Sequence, residues 1–277
     1  LERRGIPLLV ATGRRLASTR AGLAGLGLTP PCVVLNGALV VDLATGEHIH
    51  RHAFGPDAAA AVLAAFLRFG IEPCVYVEHA EVDVFVGENP STHPEHLASF
   101  GEWVRTGELD EVVATHEVLA FGVLGLAPSS VEGLEDALSP IANPHVSDER
   151  QFGGGSLTVT VAPPGLSKWD GVEAFCRNRG LDSTRVLAIG DGPNDLELLD
   201  GAGLVEAVRA VNHVARPVGE RVHARRQEVA MLGLSGILVN DSIILVTAID
   251  RRRARAQDAI RWCWTARDCP ASCPARR

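Results

Sequence analysis

A chain of 277 residues, 46% hydrophobic, 22% charged and 5% aromatic, is long enough for two domains and a sizeable core, and its composition excludes disordered, fibrous and disulfide-rich classes. The net charge of −8 argues against nucleic acid as a main partner, because phosphate backbones select basic surfaces. The acidity is concentrated in residues 1–207, whereas residues 208–277 are net basic.

In chain order, Ile6 to Ala11 is an apolar run of strand length, followed at once by Thr12, Gly13 and Arg14 and then a helix. A hydroxyl and an open backbone N–H at a helix start can hold a phosphoryl oxygen; the same residues also read as a plain cap and turn. Cys32 to Leu35 is a second buried strand, broken by Asn36-Gly37. "ALVVDLATGEHIHR" then reads as a hairpin. His48, His50 and His52 alternate along its second strand and share a face, which suits either a transition-metal site or a solvated edge strand.

Residues 57 to 69 form an Ala-rich helix pattern, and "CVYVEHAEVDVFVG" predicts two alternating strands. A helix is expected over 94–105, a strand over 118–124, a helix over 131–138, and a strand in "SLTVTVAP". "PPGLSKWDGVEAF" is a turn leading into an amphipathic helix, and it carries Lys168, the single lysine of the chain. An ammonium is a compact point charge that meets phosphate end-on, whereas a guanidinium is a wide planar fork.

"VLAIGDGPNDLELLDGAG" holds the strongest signal. Val186 to Ile189 is a buried-strand run that ends in a loop bearing Asp191, Asn194 and Asp195. Ligands of open α/β sheets bind beyond the carboxyl ends of the strands. Two carboxylates repel unless a cation joins them, and hard oxygen donors suit Mg²⁺. The alternative is an Asx-turn with a helix N-cap. The βα rhythm of the first fifty residues is interrupted over about 53–159 and resumes from 160. The expected architecture is therefore an α/β, doubly wound, Rossmann-like parallel core, 1–52 and 160–225, with an inserted α+β cap, 53–159.

Together these stretches resemble the haloacid dehalogenase superfamily of phosphohydrolases, in its Cof-like group with an α/β cap. "LLVATGRR" resembles the second motif, "VLNGALV" a flanking signature, "GLSKWDGVEAF" the third motif and "IGDGPNDLELLDGAGLVEAV" the fourth, in family order over residues 1 to about 210. The resemblance implies a Mg²⁺-dependent phosphoric monoester hydrolase of small phosphorylated metabolites that works through an aspartyl-phosphate. It implies that Thr12 and Lys168 act on the phosphoryl group, that Gly13, Arg14, Asn36 and Gly37 line the substrate side, and that Asp191, Asn194 and Asp195 hold the metal. The family's D-x-D-G-T motif, carrying nucleophile and acid/base, belongs on a strand ahead of Leu1. The first core strand is therefore expected to be missing, the chain N-terminally truncated, and these residues inactive as they stand. A non-catalytic phosphate- or metal-binding remnant is the alternative.

Residues 226–277 read as a divergent tail. Val229 to Ile249 is apolar and long enough to span a bilayer as a helix, apart from Asn240 and Asp241. Residues of about 231–259 resemble a transmembrane segment of resistance–nodulation–division efflux transporters, so a membrane-associated fusion is a third reading, through 229–249 only. The six cysteines, Cys32, Cys74, Cys176, Cys263, Cys269 and Cys273, contain no C-x-x-C pair. A reducing cytoplasm is expected.

Overall fold

The computed structural model describes residues 7–79, 81–149, 155–190, 192–207 and 242–246. Asp191 and most of the stretch 229–249 lie outside the described residues, as do Cys263, Cys269 and Cys273. Strand β1 (Leu8–Ala11) and helix α1 (Leu16–Ala24) open the chain, followed by β2 (Pro31–Val34), β3 (Leu39–Asp42) and β4 (His48–Arg51). Next come α2 (Pro56–Arg68), β5 (Cys74–Val77), β6 (Val84–Val86), α3 (Pro94–Ala98), β7 (Val104–Thr106), α4 (Leu109–Thr115) and β8 (Val118–Leu126). Then α5 (Pro128–Val131), α6 (Leu134–Leu138), β9 (Asn143–Glu149), β10 (Ser156–Ala162) and α7 (Lys168–Arg179) lead to β11 (Val186–Gly190), α8 (Leu196–Gly201), β12 (Leu204–Ala207) and β13 (Ser242–Val246).

These strands form two sheets. The first runs β12-β11-β13-β1-β2-β3-β4 and the second β7-β6-β5-β8-β10-β9. In the first sheet β1 pairs β2 in parallel and β11 pairs β12 in parallel, as βα units require. The β2–β3–β4 meander is antiparallel, with the expected hairpin between β3 and β4. Its turn is closed by the Asp42 carboxylate, which accepts from the N–H of Ala44 and of Thr45.

Residues 242–246, assigned to the tail by sequence, form a central strand of this sheet. β13 lies between β1 and β11 and is antiparallel to both, with Ser242 opposite Ala11 and Ile244 opposite Leu9 and Ala188. Without it, β1 and β11 would face one another with open backbone edges, and an apolar run of strand length satisfies both. A membrane helix over 229–249 is corrected accordingly: five of its residues are strand, and no helix among the described residues is long and apolar enough to cross a membrane.

Each sheet has its own core. In the first, Phe175 and Val172 of α7 pack on Leu9, Val33, Val40, Val186 and Ala188. In the second, Val62, Leu63 and Phe66 of α2 are buried with Phe121 and Val159, each contributing roughly 1.5–3 kcal/mol of transfer free energy. α2 forms where expected. Pro56 sits in its first turn, and Asp57 and Arg68 complement the helix dipole at its two ends.

The sequence-based elements depart from the structure at several places, three of them with a plain physical reason. The helix expected over 131–138 is split into α5 and α6, because Gly133 takes φ +78° and breaks the turn. The helix expected over 94–105 stops at Ala98, since Val104–Thr106 pairs with β6 instead. β9 was not anticipated. It carries Pro144 and few β-formers, which an edge strand beside β10 tolerates.

Candidate active site

The candidate site lies at the carboxyl ends of β1 and β11, where α7 and a turn after β2 converge. Thr12 follows β1 and is 1% exposed. Its hydroxyl oxygen accepts the Arg14 N–H at 3.0 Å, and its carbonyl accepts the Asn36 N–H at 3.1 Å. The 1→2 strand ends are thereby tied together. Leu35 and Asn36 both hold positive φ, 51° and 54°. A left-handed leucine is strained, and such strain persists where surrounding structure over-determines it.

That determination is visible around Asn36. Its Oδ1 accepts from Asn194 Nδ2 at 3.0 Å, and its Nδ2 donates to Thr160 Oγ1 at 3.2 Å. One side chain thus joins the loop after β2, the loop after β11 and strand β10 of the inserted sheet. Gly37, at φ 110°, lets this turn press on the start of α7: a Cβ there would stand 2.1 Å from the Ser167 carbonyl oxygen. Gly13 leaves room beside the Asn36 and Asn194 amides, 3.1 and 3.4 Å from where its Cβ would be.

Ser167 caps α7, and the Asp170 carboxylate accepts from its N–H at 2.8 Å and its hydroxyl at 2.7 Å, the local chemistry that starts a helix here. Lys168 is then the first helical residue and points inward, 2% exposed. Its Nζ donates to Asp195 Oδ1 at 2.8 Å, and the other carboxylate oxygen of Asp195 accepts the Gly192 N–H at 2.9 Å. Asp195 is 1% exposed. Gly190 is glycine for the same reason, since a Cβ there would stand 2.6 Å from Asp195 Cβ.

Of the residues singled out by sequence, Thr12, Gly13, Asn36, Gly37, Lys168, Asn194 and Asp195 come together, Arg14 stands solvent-exposed at the same turn, and Asp191 lies outside the described residues. The described donors do not by themselves compose a magnesium shell. No group of three His, Cys, Asp or Glu side chains among them could hold a metal, and both oxygens of Asp195 are engaged by Lys168 and Gly192. The metal reading of Asn194 and Asp195 therefore depends on Asp191. Among the described residues the alternating histidines join no metal-holding group either: β4 ends the sheet, and His48 Nδ1 pairs with Glu78 Oε1. Burial pushes the Cys32 and Cys74 thiols up to about 12, so neither offers a thiolate at neutral pH.

Three residues escaped the sequence reading. Arg15 forks onto both oxygens of Asp83 at 2.8 Å and onto the Ser99 carbonyl at 2.9 Å, joining the start of α1 to the inserted sheet. Thr160 and His145, on β10 and β9, meet the site from the inserted side. Only Arg15 had a local signal, being adjacent to Thr-Gly-Arg.

Comparison with known proteins bears on this geometry. A family described as haloacid dehalogenase-like hydrolase matches residues 1–218. The chain belongs to this family. A haloacid dehalogenase-like hydrolase from B. subtilis has a similar structure, with a TM-score of 0.59, 15% identity, and coverage of 74% of this chain and 78% of that one. A subclass IIB sugar phosphatase of the superfamily gives 0.57, 20% identity and coverage of 74% and 75%. A phosphatase from Bacteroides thetaiotaomicron gives 0.55, 23%, and 74% and 72%. At these identities the likeness is one of fold.

Among curated proteins, the phosphoglycolate phosphatase of Methanoculleus marisnigri is 41% identical over 53 residues, which is 19% of this chain and 23% of that protein. The chloroplastic endoribonuclease YBEY of Arabidopsis thaliana is 32% identical over 76 residues, 27% of this chain and 13% of that protein. The chain thus spans under a quarter of the length of either relative. The resemblance of residues 231–259 to an efflux-transporter segment finds no support: the family match ends at residue 218, and the described part of that segment is a core strand.

Proposed function

We propose that this haloacid dehalogenase-like hydrolase is a phosphoric monoester hydrolase of small phosphorylated metabolites, and that these 277 residues supply its phosphate-holding groups. One observation carries the reading: a buried ammonium, Lys168, opens α7 against the Asn36 turn that also holds Thr12, while Asp195 fixes its position. An ammonium is a donor-only group with a full positive charge, the counterpart of a phosphoryl oxygen. The Thr12 hydroxyl, which accepts from the Arg14 N–H, stands at the same turn. Such preorganised donors act on charge that develops on the phosphoryl oxygens.

In the proposed reaction a carboxylate oxygen attacks phosphorus, the bond to the ester oxygen breaks, and an acid protonates the departing alkoxide. Water then hydrolyses the acyl phosphate. The attacking group is the aspartate of D-x-D-G-T, a motif that does not occur within residues 1–277. Binding without turnover is accordingly expected of these residues as they stand. Magnesium belongs to the proposal through the sequence of the Asp191–Asp195 loop, where it would neutralise phosphate charge. Residues 53–159 serve as the cap, whose last strand β10 runs on to Ala162, over a core of 1–52 and 160–225 joined by the strand Ser242–Val246. A cytoplasmic setting fits the free, buried thiols of Cys32, Cys74 and Cys176.

The test is hydrolysis of p-nitrophenyl phosphate with Mg²⁺. Negligible turnover is expected from residues 1–277, and a strand and loop bearing D-x-D-G-T placed ahead of Leu1 should create activity that Lys168→Ala abolishes. Robust turnover by the unextended chain that Lys168→Ala removes would mean that another residue is the nucleophile. An extended chain that neither binds inorganic phosphate nor hydrolyses the ester would overturn the whole reading.

A further inference from the structure

His145 is unexplained by the site as described. It lies on β9 directly opposite Thr160 of β10, and cross-strand partners project from the same face of a sheet. That face is the one from which Thr160 reaches Asn36. β9 packs against the Pro193–Asp195 turn, and the charges that act on His145 are those of Glu197, Lys168 and Asp195. Its Nε2 is buried and has no hydrogen-bond partner. Buried ring nitrogens normally have one, and an orphaned group calls for an explanation.

We propose that His145 Nε2 is the contact by which the inserted domain recognises the organic part of the substrate, hydrogen-bonding a hydroxyl or ester oxygen of a bound phosphomonoester. The proposal rests on the phosphatase reading above. The phosphoryl group belongs with Lys168 and Thr12, and His145 arrives from the opposite domain, where the remainder of the ester must lie. An imidazole offers a donor or an acceptor at Nε2 according to its tautomer. A hydroxyl matches either tautomer. The substrate class that offers such a group is a phosphate ester of a hydroxylated carbon skeleton.

The test is calorimetric titration of the full chain with glucose 6-phosphate and, separately, inorganic phosphate, using wild type, His145→Ala and His145→Gln. His145→Ala should weaken glucose 6-phosphate about tenfold, the loss of one hydrogen bond to a neutral partner. It should leave inorganic phosphate within about twofold, which also reports that the variant is folded. His145→Gln, which keeps an amide donor and acceptor, should recover part of the loss. The imidazole ¹⁵N resonances of His145 should move with glucose 6-phosphate and stay with inorganic phosphate. Unchanged sugar-phosphate affinity in His145→Ala, with inorganic phosphate bound by wild type, overturns the assignment of His145 alone. Equal weakening of both ligands by His145→Ala overturns it too, since the residue then only props the phosphate site. Failure of wild type to bind either ligand overturns the phosphatase reading and this proposal with it.

Discussion

Replacing Lys168 by methionine should be far more costly than loss of an ion pair at a surface site. The Nζ and Asp195 Oδ1 are 2.8 Å apart, and the two side chains are 2% and 1% exposed. Neither partner can be rehydrated in place. Lys168→Met leaves a buried carboxylate with the Gly192 N–H but without its cation, and breaking a buried pair from one side costs about 3–5 kcal/mol. A domain's whole stability is roughly 5–15 kcal/mol, so the variant sits near its unfolding threshold. Asp195→Asn removes the carboxylate from the buried ammonium and should fall in the same range. Lys168→Met/Asp195→Asn removes both charges and should recover at least about 1–2 kcal/mol relative to additivity, the coupling expected of groups in contact. Urea denaturation followed by circular dichroism measures all four proteins. A Lys168→Met cost below about 1 kcal/mol, with additive double-variant behaviour, would place the pair among solvated surface bridges and refute the argument that a buried charge positions the phosphate site.

Gly37→Ala should destabilise the core by several kcal/mol, at least about 2 from a left-handed φ and a backbone clash together, because its Cβ would fall 2.1 Å from the Ser167 oxygen; an unchanged melting temperature would show that the turn and α7 are not in contact. Ile244→Pro removes a ladder N–H from a strand flanked on both sides, which should cost about 3 kcal/mol or more, and hydrogen exchange should report loosened amides in β1 and β11 while those of β8 stay protected. Arg15→Ala breaks the fork onto Asp83 and Ser99 and should lower stability by about 2–4 kcal/mol while increasing the radius of gyration by small-angle scattering; an unaltered scattering curve would mean that other contacts hold the two sheets together. His96 is depressed from 6.5 to about 4 by burial, then by Arg15 and His93, so the unfolded chain binds a proton that the folded one refuses. Stability is therefore complete above pH 6.5 and lost as pH falls toward 4, by up to about 2–3 kcal/mol. His96→Phe should flatten that part of the pH profile, and an unchanged profile would refute the assignment.

What could be read from residues alone followed from local chemistry. The apolar runs of β1, β2 and β11, the polar loops after them, and the Ser167–Asp170 cap that starts α7 at Lys168 all depend on neighbours within a few positions. Their patterns survive without knowledge of the rest of the chain. The family order of these stretches extended that reading to the inserted domain. The site was legible to the same depth: Thr12, Asn36, Lys168 and Asp195 stand on such local signals. The remainder depended on partners far away in sequence. β9 is a poor strand by composition and exists because β10 offers it an edge. Ser242–Val246 has the apolar pattern of a buried segment, which fits a strand or a helix equally. The open edges of β1 and β11, more than fifty residues away in sequence, select the strand. His145 carries no motif, and it becomes a candidate only because β9 sets it on the face of the inserted sheet that meets Asn36, beside Lys168 and Asp195. Local patterns determine where a strand or helix can begin. Only closure of the two sheets on each other decides which distant backbone satisfies an open edge, and which buried nitrogen is left facing the phosphate site.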